Sequence, residues 1–390
     1  MKMRKKKIVF FTISIILLLN FITFIYAKDK KPQKDDLYEQ LELFATAVSI
    51  IRSDYVKEVK SKDLIYGALK GMFMSLDSHS QFSDPEAYEE MKAETEGKFG
   101  GLGIEITIKE GILTIISPIE DTPAFKAGLK PNDKIIQIDG KSTRDVTLSE
   151  AVKKLRGEPG TSLTLKIVRE GENKLLDFTI TRGIIEIKSI KEASILEDKI
   201  GYIKLVEFQE NTPKDLAKAL ATLNAKGMEG LILDIRNNPG GLLDVSVMVS
   251  EMFLSKGNTV VSTKGRVKNQ DVMYKANYNK PYLGFPLIVL VNEGSASASE
   301  IVAGAIKDNK RGVVVGAKTF GKGSVQTVIP LRDGSAIRLT TAEYFTPKGE
   351  AINNIGIVPD VVVPTSDIQL ERAVDLIKGI KAYEALKTAK

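Results

Sequence analysis

Three hydrophobic periods follow one another along this chain, and each predicts a different kind of element. Ile8 to Ile25 is a nearly unbroken apolar run in which only Thr12, Ser14, Asn20 and Thr23 are polar. As a helix it is about 27 Å long, close to the roughly 30 Å hydrocarbon core of a bilayer. From Leu37 the period becomes helical. Leu37, Leu41, Phe44, Val48, Ile51 and Tyr55 recur at alternating spacings of four and three, and Ile65, Leu69, Met72 and Leu76 repeat the pattern behind a Ser61 cap. Two amphipathic helices are predicted, with stripes wide enough to pack on each other or on a second subunit. Between Phe99 and Arg182 the period falls to two. Ile104, Ile106 and Ile108 alternate, strands follow at Leu113 to Ser117 and Ile135 to Ile138, and further strands run from Ser162 to Val168 and from Lys174 to Thr181. A helical turn at Pro123 to Gly128 and a helix opened by the capping box Thr147 to Glu150, carrying Val152 and Leu155, complete a compact module.

From Gly201 to Val363 apolar strands alternate with helices: Tyr202 to Val206, helix Lys214 to Ala225, Leu231 to Ile235, helix Leu242 to Leu254, Val260 to Ser262, Pro286 to Val291, helix Ser297 to Lys307, and Val313 to Val315. That alternation predicts an α/β core with buried central strands. After Thr365 a final amphipathic helix carries Leu370, Val374 and Ile377. The 390 residues suffice for a multidomain chain. Texture divides it into residues 1–27, a helical region 28–96, the strand-rich module 97–185, the α/β core 186–365 and a C-terminal helix 366–390.

Composition removes whole classes of chemistry. With no Cys and a single His, His79, in a polar turn, the chain cannot build a disulfide framework, a Cys/His nucleophile pair, or a Cys or multi-His metal site. No metal and no cofactor is expected. The net charge of +6 is mostly local: Lys2, Arg4, Lys5, Lys6 and Lys7 stand in an N-terminus without acids, and the rest of the chain is nearly balanced. There is no electrostatic reason to expect a nucleic-acid partner. Basic residues before the apolar run read as an export signal cleaved after Ala27 or as an uncleaved membrane anchor. Either places the body outside the cytoplasm, in the cell envelope or beyond it.

The turn Phe99-Gly100-Gly101-Leu102-Gly103-Ile104, opening into an alternating strand with a capped helix later, resembles a PDZ domain of the bacterial protease-associated kind. The resemblance implies that amides of Gly101, Leu102 and Gly103 hold a peptide's terminal carboxylate. The edge strand from Ile104 would pair with the peptide, and the groove beside Val152 and Leu155 would take its last, apolar side chain. A tight glycine turn without a ligand is the alternative.

Functional groups of α/β sheets gather at the carboxyl ends of strands. Leu233-Asp234-Ile235 ends in Arg236-Asn237-Asn238-Pro239-Gly240-Gly241, and Leu290-Val291 ends in Asn292-Glu293-Gly294-Ser295-Ala296-Ser297-Ala298-Ser299-Glu300. The second run seats small hydroxyl residues at a helix start, where free amides and the positive dipole end can hold an oxyanion. Ser297 and Glu300 equally satisfy the Ser-x-x-Glu capping box, so a serine there can be a nucleophile or an N-cap. A nucleophile needs a base, which with His scarce and Cys absent must be Lys, Asp, Glu or Tyr; Lys322, between Gly321 and Gly323, is one candidate, a solvated loop lysine being its alternative reading. Neutrality near pH 7 would require a shift of about 3 pKa units, which burial can supply. Gln326, four residues on, could orient the amine without charging it.

Together with Gly201-Tyr202-Ile203 and Phe320-Gly321-Lys322-Gly323-Ser324-Val325-Gln326, these segments resemble the C-terminal processing peptidases, or tail-specific proteases. The resemblance implies a crotonase- or Clp-protease-like core and a serine endopeptidase with Ser297 as nucleophile, Lys322 as general base and Gln326 orienting Lys322. It places the oxyanion hole at the backbone of Ala298 and of Gly240 or Gly241. Asp77-Ser78-His79-Ser80 is similar to the family's Asp-Pro-His-Ser element, with Ser78 where Pro is usual, far in sequence from the catalytic motifs. Expected partners are polypeptides with apolar C-terminal tails, a second or further copy of the chain, and an activating protein. Arg156, at the end of the capped helix, is a candidate for gating between domains. A non-catalytic PDZ adaptor and an acyl-ligand binder are the rivals.

Overall fold

The computed structural model describes residues 37–388 apart from Glu110 and Glu120. The expected export signal or anchor at 1–27, the start of the 28–96 region and the last two residues lie outside the described residues. Among those described, no helix is long and apolar enough to cross a membrane. The chain divides into two compact units, one ending at Met72 and one running from Phe73 to Lys390. The first contains α1 (Leu37–Asp54) and most of α2 (Ser61–Met74). Both helices form where the spacing predicts them. The apolar stripe of α1 nevertheless buries no residue, and Leu37, Leu41, Phe44, Ile51 and Tyr55 are exposed.

The second unit opens with β1 (Gln81–Ser83) and α3 (Pro85–Glu96), then β2 (Lys98–Gly101). The strand-rich module follows: β3 (Ile104–Lys109), β4 (Ile112–Pro118), the single turn α4 (Pro123–Lys126), β5 (Lys134–Ile138), β6 (Lys141–Ser142), α5 (Leu148–Leu155), β7 (Ser162–Val168) and β8 (Leu176–Thr181). β9 (Gly183–Glu186) pairs with β2 in a separate two-stranded ribbon. The module's antiparallel sheet has the order β3-β4-β5-β7-β8, so β3 is an edge strand. Alternating Leu163, Leu165 and Ile167 of β7 pack with Ile115, Ile135, Ala151 and Leu155 in a core of their own. The Thr147–Glu150 capping box closes in both directions, which sets the start of α5.

The core domain comprises β10 (Ile190–Ile195), β11 (Ile200–Leu205), α6 (Thr212–Ala225), β12 (Gly230–Asp234), α7 (Leu243–Glu251), β13 (Thr259–Gly265), β14 (Val272–Lys275), β15 (Leu287–Val291), α8 (Ala298–Asp308), β16 (Val313–Gly316), β17 (Ser324–Pro330), β18 (Ala336–Phe345), β19 (Val361–Val362) and α9 (Ser366–Thr388). Its main sheet has the order β10-β11-β12-β15-β16-β19, parallel except for β10. Every residue of β12 and β15 is buried. Leu231, Leu233, Val289 and Val291 face α6, α7 and α8, whereas Ile232, Ile288 and Leu290 face Ala373, Val374 and Ile377 of α9. Covering both faces explains why these strands are continuous apolar runs. A second, antiparallel sheet of β1, β18, β13 and β14, with the hairpin partner β17 on β18, carries the segment after Lys322. That hairpin, the helix α3 and the ribbon β2–β9 are elements the hydrophobic pattern did not announce.

Candidate active site

The carboxyl ends of β12 and β15 are neighbours because the strands pair in parallel, Asp234 beside Leu290. Polar side chains weld their two exit turns together. Asn292 Oδ1 accepts from the Asn237 N–H at 2.8 Å, and Asn292 Nδ2 donates to Asn237 Oδ1 at 2.8 Å. Ser295 Oγ donates to the Ile235 carbonyl at 2.8 Å, and Ser299 Oγ donates to the Asn238 carbonyl at 2.9 Å. Both hydroxyls are therefore engaged in holding the turns. Ser297 sits between them with φ 55° and ψ −113°, outside the ordinary regions for a residue bearing a Cβ. Such a conformation costs about 1–3 kcal/mol and persists only where its surroundings enforce it. Ser297 is the N-cap residue of α8 and its N–H closes the Glu300 half of a capping box, but its hydroxyl makes no capping hydrogen bond of its own among the described residues.

Glu300, read from sequence only as the return half of a capping box, does more than close a helix. It is fully buried. Its Oε2 accepts from the Ser297 N–H at 2.8 Å and from the Lys322 N–H at 2.9 Å. Its Oε1 accepts from the Thr319 hydroxyl at 2.6 Å and the Gly321 N–H at 2.7 Å. One carboxylate oxygen thus ties the backbone of the candidate nucleophile to that of the candidate base. Gly321 has φ 94°, and a methyl on Gly323 would stand only 2.1 Å from the Asn353 nitrogen, so side chains are barred on both sides of Lys322. Lys322 itself is half-buried. Burial pulls its amine below the ordinary lysine value of 10.5, the Arg338 guanidinium adds to the fall, and the Glu300 carboxylate opposes it.

No hydrogen bond among the described residues joins Ser297 Oγ to Lys322 Nζ. Catalytic hydrogen bonds often tighten only once substrate is seated. Gln326 lies on β17 and does not bond to Lys322 either: its Nε2 donates to Ser324 Oγ at 2.8 Å and, more weakly, to Thr340 Oγ1 at 3.5 Å. The turn Asp77 to Ser80, remote in sequence from these motifs, is not remote in space. β1 pairs with β18, and the Thr340 N–H donates to Ser80 Oγ at 3.0 Å.

The glycines of the β12 turn are distinguished by their bonds. The Gly240 N–H donates to Asn238 Oδ1 at 2.9 Å, while the N–H groups of Gly241 and Ala298 have no protein acceptor among the described residues. A methyl on Gly240 would stand 2.8 Å from Ser297 Cβ and 3.0 Å from the Ala298 nitrogen, so only glycine permits this approach. Below the turn, fully buried Asp234 accepts from Tyr202 Oη at 2.8 Å, Lys204 Nζ at 3.0 Å and Arg236 Nη2 at 2.6 Å. Burial pushes its carboxyl up, but the Arg236 bonds and the Lys204 charge outweigh that and hold it below the usual range. Arg236 reaches on to Gln369 of α9, anchoring the strand end.

In the strand-rich module a cavity of about 110 Å³ is lined by Gly101, Leu102, Gly103, Ile104, Val152, Leu155 and Arg156. Gly103 has φ 76°, and the N–H groups of Leu102 and Gly103 donate to no protein acceptor among the described residues. The other edge of β3 pairs with no strand among the described residues. Arg156 stacks over the Phe99 ring at 4.5 Å, at the border between this cavity and a hollow beside α3. Lys153, one turn earlier, pairs with Glu86 of α3. Among the described residues no group of three or more His, Asp or Glu could hold a metal ion.

Comparison with known proteins adds three family-model matches: peptidase family S41 over residues 199–363, a PDZ domain over 100–180, and the N-terminal domain of the activating protease CtpB over 23–87. The carboxy-terminal-processing protease of Bartonella bacilliformis is 44% identical over 362 residues, covering 92% of this chain and 82% of that one. The carboxy-terminal processing protease CtpB of Bacillus subtilis is 36% identical over 338 residues, 86% of this chain and 69% of that one. A solved structure of an S41 protease homologue from Bacteroides fragilis superposes with a TM-score of 0.52 at 16% identity, covering 85% of this chain and 97% of the other, and shares the fold.

Proposed function

The chain belongs to peptidase family S41 among the carboxy-terminal processing serine proteases, and we propose on that premise that it cleaves exported polypeptides recognised by apolar C-terminal tails, using Ser297, Lys322 and Gln326. The observation that carries this reading is the contrast among three buried serines at one helix start. Ser295 and Ser299 are bonded to the neighbouring turn, and of the three Ser297 alone has a hydroxyl with no partner among the described residues, on a strained backbone.

In this mechanism Ser297 Oγ attacks the scissile carbonyl while Lys322 Nζ takes its proton. The developing oxyanion sits against the N–H groups of Ala298 and Gly241, at the positive end of α8. Gly240 contributes close approach instead of a donor, since its N–H is already engaged. Lys322 then returns the proton to the leaving amine, and water hydrolyses the acyl-enzyme by the same route. The tail's carboxylate meets the Leu102 and Gly103 amides, its last side chain enters the cavity beside Val152 and Leu155, and its backbone adds a strand to β3. Arg156, bordering that cavity, would report occupancy to the neighbouring α3 region. Residues 1–27 support a location outside the cytoplasm, released or anchored.

The base must be neutral to act, so kcat/KM is expected to rise with pH and level off above the Lys322 pKa, which lies below 10.5. Initial rates on an unfolded protein with an apolar tail, measured across pH, test this; a rate that falls over the same range would exclude an amine base. Amidating the substrate's C-terminus should raise KM by about tenfold with a smaller effect on kcat, as expected for lost carboxylate binding. Tail binding without hydrolysis at any pH would leave an adaptor.

A further inference from the structure

A polar chain runs from the first strand of the second unit to the candidate active site. The Asp77 carboxylate closes its own turn, Oδ1 accepting from the His79 N–H at 2.7 Å and the Ser80 N–H at 2.7 Å, and Oδ2 accepting from Ser80 Oγ at 2.8 Å. Ser80 Oγ in turn accepts from the Thr340 N–H at 3.0 Å. The pairs Gln81 to Arg338, Phe82 to Ile337 and Ser83 to Ala336 fix this turn against β18. On the other side of β18 a β-bulge between Val325 and Gln326 leaves Thr341 unpaired in the register, so that Gln326 lies opposite Thr340. Thr340 Oγ1 donates to Asp77 Oδ1 at 3.3 Å and accepts from Gln326 Nε2 at 3.5 Å.

The direction of each bond matters more than its length. A carboxylate only accepts, so in the bond to Asp77 the Thr340 hydroxyl gives its one proton and offers lone pairs to Gln326 and, at 3.4 Å, to Ser80 Oγ. The amino end of the Gln326 amide must then face Thr340, where Ser324 Oγ also accepts from it. The carbonyl Oε1 is then the end of the amide turned away from these two hydroxyls. Only that end can accept from an amine, and so only this orientation lets Gln326 hold Lys322 in place.

We propose that the Asp77 to Ser80 turn is a positioning element for catalysis, setting the flip of the Gln326 amide through the Thr340 hydroxyl. This rests on the assignment of Gln326 as the residue that orients Lys322. Without Asp77, the Thr340 hydroxyl is free to donate, the amide can turn over, and its NH2 group faces the ammonium it should accept from. The device links the N-terminal side of the unit to the base across a single strand.

The test is steady-state cleavage of a tailed substrate by the full chain. Thr340→Val, which removes the hydroxyl and little volume, should lower kcat about tenfold with KM nearly unchanged, and Thr340→Ser, which restores the hydroxyl but not the methyl, should recover most of it. Asp77→Ala should match Thr340→Val. In a Gln326→Ala background Thr340→Val should add no further loss, the non-additivity expected of groups acting in series. Wild-type kcat in Thr340→Val, or equal loss in the serine and valine variants, would overturn the positioning role while leaving the Gln326 assignment intact. Wild-type kcat in Gln326→Ala would overturn both.

Discussion

Exchanging Ser297 for alanine should lower kcat by roughly three orders of magnitude or more, while Ser295→Ala and Ser299→Ala retain the chemistry at reduced stability. The difference follows from what each hydroxyl does. Ser295 and Ser299 donate to carbonyls of the adjoining turn, and removing either leaves a buried acceptor without its bond, a loss of about 1 kcal/mol or somewhat more. Ser297 Oγ makes no hydrogen bond among the described residues, and its removal takes away the hydroxyl carried by the strained residue at the helix start. Single-turnover cleavage with thermal melting on the same samples separates the cases. Full activity in Ser297→Ala would sink the assigned nucleophile, and inactivity of all three with intact melting would show that the serines act as a unit.

Replacing Glu300 by alanine should cost both activity and fold. Four donors converge on this carboxylate: the amides of Ser297, Gly321 and Lys322 and the hydroxyl of Thr319. Left unpaired in a fully buried place, each costs about 1–3 kcal/mol less whatever the relaxed site recovers. Glu300→Gln is the sharper probe. Its amide presents one NH2 group, which faces either the Thr319 hydroxyl and Gly321 N–H, where only the hydroxyl can turn to accept, or the Ser297 and Lys322 N–H groups, so at least one N–H meets a donor while the volume stays the same. We expect a kcat loss of about tenfold or more in the glutamine variant, with a lowered melting temperature, because either the Gly321 N–H beside Lys322 loses its acceptor or the Ser297 and Lys322 N–H groups lose the oxygen they share. Unchanged kcat in a folded Glu300→Gln would show that nucleophile and base are aligned by something else.

What could be read from sequence was governed by how local each cause is. Strands β12 and β15 announce themselves because both faces are covered, and the four–three spacing of Leu37 to Tyr55 gives α1 without any knowledge of its neighbours. The run holding Ser297 and the Gly-flanked Lys322 stand out because backbone geometry restricts residue type at those points. Glu300 was visible only as Ser-x-x-Glu; its bonds to Gly321 and Lys322 span more than twenty positions and leave no mark in spacing. Asn292 stands in a motif, but its bonds to Asn237 span 55 positions and likewise leave no mark in spacing. Helix α3, Pro-Glu-Ala-Tyr-Glu-Glu-Met-Lys-Ala-Glu-Thr-Glu, has too few apolar residues to show a period. Asp77 looked like part of an isolated turn because the strand that receives it, β18, lies some 260 residues further along the chain.

The open edge of β3 has a consequence for how many clients one enzyme can serve. In the reading proposed above, strand addition would rest mainly on main-chain bonds, which every sequence can make, and the adjoining cavity would inspect little beyond a terminal carboxylate and one side chain. So short a signature recurs by chance on many proteins. Selection among them must fall to the free energy of fraying: a well-docked C-terminus rarely peels away long enough to reach the groove, whereas a damaged or unassembled chain leaves its end loose. On the function proposed, the groove reads an address while local melting of the client decides whether that address is ever shown.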